Sequence, residues 1–234
     1  MKMYSKFWTP GIVLLVGLVF CSCPGTDVVP GASPTVRIVI ETLTGQASNA
    51  KVYVEASDGN LLTGSRVVIR NSSFAASLMD FSFTEGAYTS TIPPSSDGKY
   101  TVTVQSSVLE EKFTQTVVHY ILTESPQITL LQDELANSAL SGATLEVGKN
   151  VNIEWSASPY ATVYQVRIRK DGTEVLVQTV SGTSVSIAPS DISLAGAYTV
   201  SITAQFVEGD PLLENSNYYS FSEKAGSSVL FLTQ

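Results

Sequence analysis

The sequence predicts an all-β protein, two tandem β-sandwiches behind a signal peptide and a flexible tether. Three observations carry that reading. Valine, serine and threonine supply 81 of 234 residues, and valine and threonine are β-branched residues that suit pleated strands. Apolar residues recur with period two over most of the chain, as a sheet packed on one face requires. Charged residues are only 15% of the chain while 44% is hydrophobic, which excludes a disordered chain. The acidic balance, net charge −8 and pI ≈ 4.6, excludes nucleic acid as a partner, because no basic patch is present to neutralise phosphates.

The first segment is an address. Lys2 and Lys6 form a basic start, and an apolar run follows from Ile12 to Cys21. That run is too short to cross a hydrocarbon core, which needs about 20 helical residues, so it reads as a secretory signal. Its end, Phe20-Cys21-Ser22-Cys23-Pro24, resembles the bacterial lipoprotein signal, in which a small residue precedes a cysteine that is acylated and becomes the new N-terminus. The resemblance implies a signal peptide over 1–22 and a palmitate-type anchor on Cys23. An ordinary secretion signal and an uncleaved anchor are the alternatives. Both cysteines of the chain lie here, so the folded region has no thiol for a disulfide. Removing Lys2 and Lys6 leaves 11 basic against 21 acidic side chains, a net −10. That charge repels an anionic bilayer, so the lipid has to do the anchoring.

Residues 23–34 form a lipidated tether rich in proline and glycine, which stays extended or flexible. The expected location is the bacterial cell envelope, with the outer membrane or cell surface favoured over the inner membrane. The remainder divides near Glu124-Ser125-Pro126, where proline interrupts strand geometry. The two units are 35–124 and 125–234.

In the first unit, Val36, Ile38 and Ile40 share one strand face, and Ala50, Val52, Val54 and Ala56 share another. Ser57-Asp58-Gly59-Asn60 is a turn signal, since Asp-Gly tolerates positive φ. Val67 and Ile69, the stripe Met79, Phe81 and Phe83, and then Tyr100, Val102 and Val104 follow. Phe113 to Ile121 is expected to be the last strand. In the second unit the stripes are Ile128 and Leu130; Val151, Ile153 and Trp155; Tyr164, Val166 and Ile168; and Val175, Val177 and Thr179. Val185 and Ile187, Val200 and Ile202, and Val229 to Leu232 complete it. Lys170-Asp171-Gly172-Thr173 is a second Asp-Gly turn. Asp133 to Ala143 has some helical character but reads as a turn or loop.

Gly98-Lys99-Tyr100-Thr101-Val102 recurs as Gly196-Ala197-Tyr198-Thr199-Val200, one domain length later. A weaker third copy is Gly86-Ala87-Tyr88-Thr89. A tyrosine entering a late strand after a turn resembles the tyrosine corner of β-sandwiches, whose hydroxyl bonds back to the backbone. With Val151-Asn152-Ile153-Glu154-Trp155, Tyr164-Gln165-Val166-Arg167-Ile168 and the stretch from Ile192 to Ala204 that contains Tyr198, the second unit resembles a fibronectin type III domain. The resemblance places Trp155 and Tyr198 in the core. The first unit looks immunoglobulin-like more loosely, and a transthyretin-like sandwich fits it almost as well. Two tandem immunoglobulin-like sandwiches are therefore the expected architecture.

Catalytic signals are few. His119 is the one histidine, and a strand residue that is exposed or simply hydrogen-bonded is a better reading than a general base or metal ligand. No cysteine remains for thiolate chemistry, and there is no G-x-S-x-G turn, Walker loop or calcium-loop spacing. Glu110-Glu111, Asp133-Glu134 and Glu208 with Asp210 read as solvated acidic pairs. Asn71-Ser72-Ser73 is a formal sequon of little weight in a bacterial chain. No cofactor and no metal are expected, and the chain is read as a non-enzyme.

Recognition is expected at one pole of the second sandwich, where the loops Ser156–Thr162, Ser181–Ser184 and Val207–Tyr218 of a fibronectin-type fold gather. Tyr160, Leu212, Leu213 and Tyr218 are the candidate partner-binding residues, since exposed apolar loop side chains serve as anchors. The alternative is that Leu212 and Leu213 pack onto their own domain or an interdomain face. The expected function is a membrane-anchored binding or adhesion module for a protein or glycan partner, or else a structural spacer or accessory subunit of an envelope complex.

Overall fold

The computed structural model describes residues 34–107, 112–213 and 216–234. The signal peptide, Cys23, the tether up to Ser33 and the pair Glu110-Glu111 lie outside them. The described chain is all-β apart from one 3-10 turn, Ala139–Ser141, which falls inside the stretch read as a loop.

The first eight strands are β1 (Thr35–Thr42), β2 (Ser48–Glu55), β3 (Arg66–Asn71), β4 (Phe74–Leu78), β5 (Asp80–Ser82), β6 (Ala87–Ile92), β7 (Lys99–Gln105) and β8 (Phe113–Val118). Period-two burial is regular in β1, where Val36, Ile38, Ile40 and Thr42 are buried, and in β7, where Tyr100, Val102 and Val104 are buried. A four-stranded sheet, β4-β3-β7-β8, faces the sheet that carries β1-β2-β6-β5. Between them lies a core that includes Ile38, Ile40, Val52, Ile69 and Tyr100.

The second set is β9 (Ile128–Asp133), β10 (Val151–Trp155), β11 (Val163–Lys170), β12 (Thr173–Val180), β13 (Ser184–Ile187), β14 (Gly196–Gly209) and β15 (Tyr218–Thr233). A three-stranded sheet, β13-β10-β9, opposes β12-β11-β14-β15. Leu131, Ile153, Trp155, Val166, Ile168 and Ile202 fill the space between. Three strands on four around a core tryptophan is a sandwich of the fibronectin and immunoglobulin type.

Both tyrosine corners form. The Tyr198 hydroxyl donates to the Leu194 carbonyl at 2.8 Å, and that of Tyr100 donates to the Pro93 carbonyl at 2.9 Å. Tyr88, the third copy, donates to the Leu62 carbonyl at 2.8 Å and accepts from the Ser65 N–H at 2.7 Å. It thereby pins the crossover between β2 and β3. The second Asp-Gly turn closes the β11–β12 hairpin with Asp171 at φ 49 and Gly172 at φ 82, the paired positive φ of a type I′ turn. The first closes only a single bridge, Glu55 to Leu61, before the chain crosses to the opposite sheet.

Three stripes differ from their sequence reading, two because of a bulge and one because its strand ends early. Thr129 is an extra residue where β9 meets Glu154 and Trp155, so Leu131 rather than Leu130 points inward after Ile128. Val175 is likewise extra in β12, and Val175 and Val177 lie outward at 42% exposure while Leu176 and Val180 pack on the core. A β-bulge shifts side chains to the other face, which alternation alone does not register. Met79 is buried but Phe83 is 86% exposed, because β5 ends at Ser82 and Phe83 lies beyond it.

The two sandwiches share a sheet. β15 pairs antiparallel with β14 along its length and, through Tyr218 to Ser222, parallel with Ile38 to Thr42 of β1. The result is one eight-stranded sheet in the order β12-β11-β14-β15-β1-β2-β6-β5.

Replacing Tyr198 by phenylalanine removes the corner bond and leaves the Leu194 carbonyl with the Thr233 hydroxyl, at 3.1 Å, as its donor. It is expected to cost about 1–2 kcal/mol in urea unfolding, and a loss below about 0.3 kcal/mol would show that the corner is unimportant.

Candidate functional site at the loop pole

The loop residues singled out from the sequence are held in different ways. The β14–β15 hairpin runs further than expected, to Gly209 and from Tyr218. The connection is therefore 210–217, not Val207–Tyr218. The reason is a distant one: Tyr218 to Ser222 gain β1 as a partner. Tyr218 is thus a half-buried strand residue packed on the first core, with its hydroxyl donating to Glu208 Oε1 at 3.1 Å.

Leu213 is half-buried at φ 55, and its N–H donates to the Asp210 carbonyl at 3.0 Å. Leu212, whose N–H donates to Asp210 Oδ1 at 2.9 Å, is 65% exposed. Tyr160 is 61% exposed at φ 67, a backbone conformation that costs a non-glycine residue about 1–2 kcal/mol. Its ring lies flat on Tyr120, with centroids 4.2 Å apart and planes within 3°. Tyr120 in turn meets Phe206 edge-on at 5.5 Å. One face of Tyr160 is therefore spent on the connection between the sandwiches.

That connection, His119 to Leu122, is the part of the site that alternation did not reveal. A third bulge lies in β15, where Gly226 and Ser227 oppose Ile202 alone. A Cβ on Gly226 would stand 2.3 Å from the Pro126 carbonyl oxygen and 2.8 Å from that of Ile202, so only glycine fits. The bulge reverses the inward face of β15 from Phe231 and Thr233 below it to Ser220 and Ser222 above it, all four buried. Two small inward serines leave room for the connecting segment. Ser222 Oγ donates to the Tyr120 carbonyl. The alternation Tyr219-Ser220-Phe221-Ser222 was the available signal.

His119 is buried, 1% exposed. Its Nδ1 lies 2.9 Å from Ser220 Oγ and its Nε2 lies 2.8 Å from Thr42 Oγ1. Thr42 Oγ1 donates to Ser48 Oγ at 2.7 Å. The proton on Thr42 being committed there, Nε2–H donates to Thr42 and Nδ1 accepts from Ser220. Tyr100 of the first core and Phe206 of the second approach the ring edge-on at 6.0 and 6.5 Å. Burial lowers the pKa of His119 from 6.5 to about 4. A neutral histidine with both nitrogens engaged is a structural joint, with no open position for a substrate or metal.

The acidic side chains bind their own loops. Asp133, 1% exposed, accepts from the N–H groups of Leu135, Asn137 and Glu146 at 2.9–3.0 Å and from Asn137 Nδ2 at 2.8 Å. Burial works to raise its pKa, but the Asn137 amide and these N–H groups outweigh it and hold the carboxyl below its usual range. Asp97 accepts from Ser95, Ser72 and the Lys99 N–H, chiefly Ser95, and its pKa drops to about 2. Among the described residues no three His, Cys, Asp or Glu side chains are grouped as metal ligands. A polar groove of about 720 Å³ lies on the first unit between Glu41, Asn49, Lys51, Asp80, Glu85 and Thr91, with Lys51 paired to Glu85.

No protein-family model matches the chain, and no curated protein matches it. Among solved structures, the chicken CNTN1 FN1-FN3 domains align over 87% of this chain and 67% of theirs, at 14% identity and TM-score 0.46. A cytokine receptor complex aligns over 83% of this chain and 94% of its own, at 13% identity and TM-score 0.39. Titin domains A168-A170 align over 87% and 68%, at 12% identity and TM-score 0.31.

Two outcomes are expected at the joint. His119 binds a proton more weakly folded than unfolded, so its contribution is complete above pH 6.5 and is lost as pH falls toward 4, by about 3 kcal/mol. Urea titrations at pH 7, 5.5 and 4.5 should show this loss, and His119→Gln should flatten it; an unchanged slope would remove His119 as its source. Gly98, at φ 67, has its Cβ position 2.3 Å from the Tyr120 ring. Gly98→Ala should cost about 3 kcal/mol from strain and clash together. In a Tyr120→Ala background it should cost about 1–2 kcal/mol, the backbone part alone. Equal costs in both backgrounds would exclude the clash.

Proposed function

We propose that the chain is a non-catalytic lipoprotein of the bacterial envelope, acylated at Cys23, whose two sandwiches act as one stiff body. The continuous eight-stranded sheet through β15 and β1 is the observation that supports the stiff body, and the anchor rests on the sequence around Cys23. Tandem domains on a simple linker move relative to one another. Here a shared strand, a buried histidine and the Tyr120–Tyr160 stack oppose that motion. A stiff body on a lipid anchor suits a spacer or accessory subunit that holds a partner protein at a set distance. The non-enzymatic reading draws support from the carboxylates of Asp97 and Asp133, which are engaged by their own loops.

The second reading, an adhesion module, is supported by exposed Leu212 and the outer face of Tyr160, which could take an apolar side chain or the face of a sugar ring. Its partner is a protein or a glycan.

Cells grown with radioactive palmitate should label the chain, and Cys23→Ala should lose the label and leave the membrane fraction; a label that persists would exclude Cys23 as the anchor. In a pull-down from native envelope, Leu212→Asp should leave partner recovery unchanged for a spacer. A loss of recovery would favour the adhesion reading.

A further inference from the structure

β12 is an open edge of the eight-stranded sheet. It has eight residues, Thr173 to Val180, six of them exposed. Open edges are ordinarily protected by lysine, proline or shortness. β5 has three residues and β13 four, and β8 turns Thr114 and Thr116 outward. β12 has neither lysine nor proline, and its one charge, Glu174, pairs with Arg167 at 2.9 Å. Beyond the bulge at Val175, the stretch from Leu176 to Val180 is regular.

We infer that β12 is a self-association edge, on which a second copy of this chain adds its own β12 antiparallel about a two-fold axis at Gln178. The register follows from the sequence of the stretch. Centred on Gln178, it sets Val177 opposite Thr179 of the second copy on the outer face, two β-branched residues in contact. It sets Leu176 opposite Val180, and both already fringe the core, so pairing extends the buried layer across the edge. Gln178 meets its own equivalent, and an amide is both donor and acceptor. Glu174 falls outside the regular pairing and meets no like charge. An isologous contact of this kind closes at two copies and does not propagate. Five residue pairs make a small interface, so the dimer is weak.

The full chain in detergent is tested by sedimentation equilibrium. Wild type should shift from monomer to dimer with rising concentration. Val177→Lys with Thr179→Lys, both solvent-facing in the monomer, places lysine opposite lysine and should weaken association at least tenfold. Mixing it with the Val177→Glu/Thr179→Glu variant should restore a mixed dimer. Gln178→Cys should form an intermolecular disulfide above the wild-type background, since directly opposed Cα atoms lie within disulfide reach, whereas Thr173→Cys should not. A wild type that stays monomeric up to about 1 mM would overturn the proposal, as would a lysine variant that associates as wild type does. A monomeric wild type whose envelope partner is lost in the lysine variant would likewise overturn it, in favour of a foreign strand on the same edge.

Discussion

The parallel pairing of Tyr218 to Ser222 with Ile38 to Thr42 is the contact on which the rest of the molecule depends. It gives β1 a partner that its own unit does not supply and joins two cores into one sheet. Without it β1 would be an open edge that carries Val36, Ile38, Val39 and Ile40, a geometry that invites pairing with other chains. The first sandwich is thus completed by a strand that lies about 180 positions later in the chain. Its stability is tied to the second sandwich through backbone bonds as well as through apolar contact.

The joint adds a polar network to the apolar contacts of Val118, Tyr120 and Leu122 with the second core. His119, Thr42, Ser48 and Ser220 form one hydrogen-bonded chain with the ring nitrogens both occupied. A buried polar network is favourable only when each member is satisfied, and this one is satisfied only in the joined arrangement. Separating the sandwiches would leave a buried ring and three hydroxyls to find water or other partners. The network therefore specifies how the halves meet, while apolar burial in the two cores supplies most of the free energy. Tyr120 makes a second joint beside it, between the Gly98 turn on one side and Tyr160 on the other.

A consequence for function is that side chains which look available in the sequence are partly consumed by architecture. Tyr160 and Tyr218 are amphipathic aromatics on or near loops, yet one face of Tyr160 lies on Tyr120 and Tyr218 packs under the shared sheet. Asp133, which read as a solvated carboxylate, and Asp97 tie loops down through three or more accepted bonds each. Of the features discussed, Leu212, the outer face of Tyr160, the polar groove and the open edge of β12 stay accessible to a partner.

Local features were legible because they depend on neighbours in sequence. Alternation in β1, β7, β10 and β11 put Ile38, Tyr100, Trp155 and Val166 inside, and the repeated Gly-x-Tyr-Thr-Val marked both tyrosine corners. Asp171-Gly172 announced its hairpin because only residues tolerant of positive φ close a two-residue turn. The bulges at Thr129, Val175 and Gly226 were not legible, since one extra residue reverses the facing of all that follows. Nor was the placing of His119, whose partners Thr42 and Ser220 lie 77 and 101 residues away. The sequence by itself determined strands, turns and the composition of two cores, because these follow from side-chain period and backbone preference. Only the tertiary structure decided that the last strand serves both halves, because that pairing is a long-range choice among edges whose local chemistry is alike.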